Sequence, residues 1–403
     1  MNILSIAIHN GVSKPLTGGQ NRYFHLIREL AKHGNHIIVL EPQVFFDPAD
    51  LAVAKVYTYP NYRVFHRGSS FFKDLDIWFV IKLIQILANE QVDLIAIEYP
   101  SGALAVKLAS LLTKSDAPLI YSSQNVESIF AREVNARVAN LSQFERKIIP
   151  PYVTVLEKVA TRYLVDHITA VSDADKDLFC RKYGLNKEKV TVIPSGCDLS
   201  DPVGEEAKER LRAKMGFDPD TTIVVFHGSY NHPPNREAID RITNCIAPML
   251  ASDKSIVFAL YGSDVPTFNR ANVRSFGFVK DLHNALSMAD IALAPITRGG
   301  GTRLKLFDYM NAGLPIITTP KGTEGIRAND KEHLIIVEAI DNEIASAIEH
   351  LAQNKQERER LGSNARRLVE NEYNWDLIGD KLDDTYRKIR ANRSTDAQRA
   401  RDE

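Results

Sequence analysis

The chain has 403 residues, 44% of them hydrophobic and 25% charged, the balance of a soluble globular protein with two or three domains and a sizeable core. Its formal net charge of −1 supplies no global attraction to nucleic acid or to a bulk membrane surface, so any anion site has to be local. Cys180, Cys197 and Cys245 show neither C-x-x-C nor Cys/His spacing, which argues against a disulfide framework or a zinc site and fits a reducing cytoplasm.

In chain order, "NILSIAI" reads as a strand and has none of the marks of a signal peptide, so a cytoplasmic protein is expected. The helical run "GQNRYFHLIRELAKHG" follows, opened by Gly18 and Gly19, and then "HIIVLEP", "VDLIAIEYP", "APLIYSSQ" and "HITAVS" alternate with helical patterns. That is the rhythm of a parallel sheet with helices on both faces. "IWFVIKLIQILA", from Ile77 to Ala88, is too short to span a bilayer and is expected to be a buried helix, the alternative being an interfacial one.

"KVTVIPSGCDLS" closes this series and the charged "EEAKERLRAKMG" reads as a linker. A second series then starts at "TTIVVFHGS" and runs through "SIVFALYGS", "VRSFGFV", "DIALAPI", "LPIITTP" and "HLIIVE". The expected organisation is α/β: two doubly wound domains, 1–200 and 220–372, joined by a linker at 201–219 and facing a central cleft. Tyr373, Trp375, Ile378, Leu382 and Tyr386 recur at helical spacing, which marks a structural helix at 373–392, and the polar residues 393–403 are expected to be a disordered tail.

The most informative stretch is "RGGGTRLKLFDYMNAGLPIITTP", Arg298 to Pro320. Gly299, Gly300 and Gly301 mark a loop, Thr302 is a candidate N-cap, and Leu304, Phe307 and Met310 give the next helix one buried face before Gly313 stops it. A helix N-terminus attracts anions and disfavours cations. Arg303 and Lys305 in its first turn therefore point to an anionic ligand, the alternative being a surface loop with two solvated cations.

"FHGSYNHPPNREAIDRI", "FGFVKDLHNALSMADIALAP" and "GGGTRLKLFDYMNAGLPIITTPKGTEGI" together resemble the donor-binding domain of a family-four glycosyltransferase of the GT-B fold. "GGQNRYFHLIRELAKHGNHIIVL", "SSQNVES" and "ITAVSDADKDLFCRKYG" with "KVTVIPSGCDL" extend the resemblance over nearly the whole chain, in the family's order. The resemblance implies two Rossmann-like domains and a retaining transferase. It would move a sugar from a nucleotide-diphosphate sugar to a glycan or lipid-linked acceptor, with no cofactor or bound metal and no nucleic-acid partner.

The resemblance places the catalytic cations at Lys305 and Arg303, with Lys305 on the diphosphate. Asp308 matches the carboxylate that holds the ribose, one methylene shorter than the usual Glu. Gly300 stands where the family has a second Glu, so backbone N–H groups of Gly300, Gly301 and Thr302 would hold the donor sugar instead. Gly228 and Ser229 offer further donor contacts where many members carry an Arg, and the base is expected near Phe278 and Val279. Gly18 and Gly19 would bring a second set of N–H groups onto the leaving phosphate or the acceptor.

On the acceptor side stand Glu98, Gln124 and Asn125. Gln124 occupies the place of a frequent family His and cannot act as a base, so the leaving phosphate would take the acceptor proton. The turn at Gln124, Asn125 and Glu127 also reads as a plain helix cap. The Asp-x-Asp pairs Asp74/Asp76, Asp175/Asp177 and Asp218/Asp220 follow no strand end in the cleft, so no metal ligands are expected.

Gly300 and Gln124 leave a catalytically inactive nucleotide-sugar-binding protein as the alternative. A nicotinamide dehydrogenase is disfavoured by the lack of G-x-G-x-x-G after the first strand. Arg146, Lys147, Lys158 and Arg162, set among apolar residues between Phe144 and Leu164, read either as a peripheral membrane contact or as a solvated helix face.

Overall fold

The computed structural model describes residues 1–7, 18–42, 55–59, 76–133, 143–268, 270–299, 301–338 and 340–402. Gly300 and Asp74, both named above, lie outside them. The chain divides into two units, Met1–Ser195 with Trp375–Glu403, and Gly196–Asn374.

The first unit holds seven parallel strands: β1 (Asn2–Ile6), β2 (His36–Glu41), β3 (Lys55–Thr58), β4 (Leu94–Ile97), β5 (Leu119–Ser122), β6 (His167–Ala170) and β7 (Val190–Val192). Their order is β3-β2-β1-β4-β5-β6-β7. Ile3 pairs with Ile37 on one side and Leu94 on the other, so the strand order reverses between β1 and β4, the place where doubly wound sheets bind ligands. The inner strands are apolar runs buried on both faces, as parallel strands covered by helices must be.

Helices Gly18–Lys32 and Trp375–Asp402 pack together on one face. Ile77–Asn89, Ala103–Thr113 and Asp173–Tyr183 contribute to the apolar layer on the other. Two expectations are corrected here. The last helix does not stop at 392 but runs to Asp402, so the tail is helical. Past residue 392, Arg393 reaches Asp166 at 3.4 Å, and such tertiary anchoring favours helix in a polar sequence. Ile77–Asn89 is not fully buried either: Phe79, Leu83 and Ile86 face the sheet while Ile77, Trp78 and Ile81 are exposed.

The second unit contains β8 (Thr222–His227), β9 (Ile256–Tyr261), β10 (Val273–Gly277), β11 (Ile291–Ala294), β12 (Ile316–Thr318) and β13 (Ile335–Ile336), all parallel, in the order β10-β9-β8-β11-β12-β13. Val224 pairs with Phe258 and with Ile291, which puts the reversal between β8 and β11. The expected linker is likewise corrected. Glu205–Lys214 is a helix of this unit, because Leu211 and Met215 pack on its core and Lys208 pairs with Asp290, whose carboxylate also receives Arg212 and the Ile223 N–H.

Candidate functional site

Three adjacent strands of the second sheet end in glycine. Gly228, Gly262 and Gly277 follow or finish β8, β9 and β10 at φ of 153°, 147° and 64°, where L side chains are strained. A Cβ on Gly262 would overlap the Gly228 carbonyl, and one on Gly228 would overlap the Asn235 amide. Gly228 N–H donates to Tyr261 O at 2.9 Å and Gly262 N–H to Gly277 O at 2.8 Å. These strand ends therefore close up backbone to backbone, leaving main chain at the carboxyl edge.

Beside that edge, at the reversal between β8 and β11, helix Leu304–Asn311 carries Lys305. Its ammonium donates to His227 O at 2.9 Å and Asn235 Oδ1 at 2.7 Å and lies 4.0 Å from the Phe226 ring centre. Both acceptors are neutral. Burial and the neighbouring Arg303 push the ammonium down to about 7, with Asp308 opposing them, as expected for a desolvated cation without a bonded anion.

Asp308 sits one turn on, its side chain 37% exposed and its Oδ2 3.2 Å from His227 Nε2, at ion-pair distance but without hydrogen-bond alignment. The Tyr309 hydroxyl accepts from His227 N–H at 3.0 Å, and the two rings meet edge to face. His227 is thus held by its backbone and its ring beside an open carboxylate.

The expected N-cap is corrected. Arg303, not Thr302, occupies the cap position without a side-chain cap bond, and the Thr302 hydroxyl is buried without a partner. Gly299 and Gly301 have φ of 110° and 69°, which turns their carbonyls to the Arg303 guanidinium at 2.7 and 2.8 Å. That binds both terminal nitrogens of the guanidinium within its own loop. Glu324 lies 4.0 Å from it and 2.6 Å from Lys321. Ser229 O receives the Asn235 amide at 3.1 Å. Phe278, 74% exposed, and half-buried Val279 stand after β10, two strands from β8.

In the first unit the structure joins Gly19, Glu98 and Gln124. The Gln124 amide donates to Glu98 and, at 3.3 Å, to Gly19 O, and a Cβ on Gly19 would overlap that amide. Gly18 and Gly19 begin the helix Gly18–Lys32 itself. Burial pushes the Glu98 carboxyl up to about 8, with Arg22 and Gln124 opposing the shift. Arg22, pushed down to about 10 by burial, is bound to Pro194 O and Ile193 O at 2.7 Å each.

Asn125 donates to Glu127 at 3.4 Å. Burial and the nearby Glu157 push the Glu127 carboxyl up to about 8. Glu157 in turn accepts from the Glu127 and Ser128 N–H groups at 2.8 and 3.0 Å and from the Tyr183 hydroxyl at 2.5 Å. The turn after β5 is therefore clamped by a buried carboxylate from a later helix. Among the described residues no group of three His, Cys, Asp or Glu is gathered as a metal site would gather them.

Residues 17–201 match the family profile of Glycosyltransferase Family 4, and residues 221–354 that of Glycosyl transferases group 1. The chain belongs to the family-four glycosyltransferases of the GT-B fold. It is 26% identical over 245 residues to the GDP-mannose-dependent monoacylated alpha-(1-6)-phosphatidylinositol monomannoside mannosyltransferase of Corynebacterium glutamicum, covering 56% of this chain and 63% of that one. The chain thus spans a little under two thirds of that relative. Against the MMP alpha-(1->4)-mannosyltransferase of Mycolicibacterium hassiacum it is 22% identical over 416 residues, 96% of this chain and 98% of the other. Among solved structures, Anabaena HepE in complex with UDP superposes with a TM-score of 0.74 at 16% identity, covering 96% of this chain and all of that one, which shows the shared fold.

Sequence reasoning singled out Lys305 and Asp308 but not His227 and Asn235, which the structure brings beside them. His227 shows no metal-ligand spacing to a cysteine. Its signal was its place at the last residue of a buried strand, directly before Gly228. For Asn235 the Pro-Pro-Asn start of helix Pro233–Arg241 was visible, while the contact with Lys305, 70 residues on, was not.

Proposed function

We propose that the chain transfers a sugar from a nucleotide-diphosphate sugar to a glycan or lipid-linked acceptor, with retention of anomeric configuration and without a bound metal. The observation that carries the reading is Lys305, a buried ammonium at the switch point of the second sheet whose hydrogen-bond partners are neutral oxygens. A diphosphate supplies the missing negative charge. As the anomeric bond breaks, that cation stabilises the growing charge on the leaving group. Arg303 braces the glycine loop and adds its charge, and N–H groups of Gly301 and Thr302 face the sugar hydroxyls.

Asp308, open to solvent beside His227, takes the ribose hydroxyls, and Phe278 with Val279 flanks the base. Glu98 is kept protonated near neutral pH and Gln124 carries no base, so the acceptor proton passes to the leaving phosphate oxygen. HepE was solved with UDP-glucose and the Corynebacterium relative is GDP-mannose-dependent by name, so these two donors are tested first.

The test is nucleotide release from UDP-glucose and from GDP-mannose with chelator present and candidate acceptors added. Release with one donor is expected, falling by about 10²–10³ in Lys305→Ala. Binding of the donor with no release under any acceptor assigns the inactive binding protein instead. Release that needs added divalent metal overturns the metal-free reading.

A further inference from the structure

Helices Ile77–Asn89 and Ala103–Thr113 of the first unit lie side by side, and the second abuts the turn Ala160–Leu164. Their inner residues, Phe79, Leu83, Val106 and Ala109 among them, are buried in the core. The outer residues are apolar as well. Ile77, Trp78 and Ile81 are exposed on the first helix, and Leu104, Leu108, Leu111 and Leu112 on the second, the last two at 76% and 69%. Val155, Val159 and Tyr163, leading into and along that turn, are exposed too. An eleven-residue helix with four outward leucines is patterned to be covered on both sides.

The charges of this surface are mostly positive. Residues 77–89 and 103–115 carry Lys82, Lys107 and Lys114 and no carboxylate. Residues 143–165 carry Arg146, Lys147, Lys158 and Arg162 against Glu145 and Glu157, the latter fully buried. The carboxylates at the helix ends are engaged: Asp76 caps Trp78 and Phe79, Asp116 meets Arg390, and Asp166 holds Lys107 and Arg393. In a chain of net charge −1 this is a segregation of cations around an apolar band. Trp78 and Tyr163, the latter with the Arg162 guanidinium 5.6 Å from its ring centre, supply side chains suited to an apolar–aqueous boundary.

We propose that this face seats the chain on an anionic lipid surface, with the leucines and Trp78 at the headgroup–acyl boundary and the cations on lipid phosphates. A second copy is the poorer occupant, because a two-fold contact would set cations against cations. No helix among the described residues is long and apolar enough to cross a membrane, so the contact is peripheral. The proposal stands independently of the nucleotide bound by the second unit and fits an acceptor carried on a lipid.

The experiment is cosedimentation of the full chain with vesicles of phosphatidylcholine alone and of an equal mixture with phosphatidylglycerol. Wild type is expected on the mixed vesicles, released by salt. Lys147→Gln with Lys158→Gln and Arg162→Gln weakens binding by about fivefold per cation, and Leu108→Ser with Leu111→Ser and Leu112→Ser reduces it to background. Both variants change exposed positions, and unaltered melting verifies their folds. Wild type that ignores the mixed vesicles, or binding unmoved by both variants, overturns the proposal. Self-association lost in the leucine variant, with no vesicle binding, assigns the face to a second copy.

Discussion

The ends of the two sheets resolve their polar groups in opposite ways. In the first unit Glu98, Gln124 and the Gly19 carbonyl satisfy one another, and Arg22 is spent on the main chain at Ile193 and Pro194. In the second unit the hydrogen bonds of Lys305 among the described residues go to neutral oxygens, and the Asp308 carboxylate stays open to solvent. Burying a cation without an anion is costly. A fold that keeps one at a strand edge is preorganised for a charged ligand, whereas a closed network is preorganised for shape.

The contrast has two consequences that mutation can break or sharpen. The larger for function is at the glycine edge: Gly262→Ala places a methyl against the Gly228 carbonyl at a φ of 147°, where neither backbone yields cheaply. About 3 kcal/mol of stability is expected to go, with nucleotide affinity lost alongside it and the first unit melting as before. A wild-type melting curve would show that the strand ends are not closed as described.

The smaller for function concerns Glu98. Its folded carboxyl, raised by burial to about 8, binds a proton that the unfolded chain releases near pH 4.5. Its contribution is therefore fully present below about pH 4.5 and is lost as pH rises towards about 8. Glu98→Gln keeps the neutral shape and removes the titration. Relative to wild type the variant should gain about 3–4 kcal/mol more near pH 8 than near pH 5. Equal stability curves at both pH values would mean that Glu98 is ionised in the fold.

Much of the architecture was legible because parallel strands need continuous apolar runs. "LIAI" and "IALA" leave little else for those residues to be. Lys305 was legible as a cation after a glycine loop. Its neutral partners were not, since His227 and Asn235 come from another strand and helix and tertiary packing alone brings them to it. The Thr302 cap failed for a related reason: Arg303 takes up the loop's turned carbonyls and displaces the cap by one residue. The helix at 373–392 was legible, but its extension was not, because local polarity conceals the long-range pair of Arg393 with Asp166.

The most direct measurement is calorimetric titration of UDP and GDP into the wild type and Lys305→Ala between about pH 7 and about pH 9, above the last phosphate ionisation near 6. The free ammonium titrates at about 7 and is charged when a diphosphate lies against it. Binding must then take up a proton, and wild-type affinity for the preferred nucleotide falls by up to about tenfold per pH unit, with flat, weak binding in Lys305→Ala. Wild-type affinity that does not change over this range, or binding that survives loss of the lysine, would contradict the assignment of Lys305 to the diphosphate.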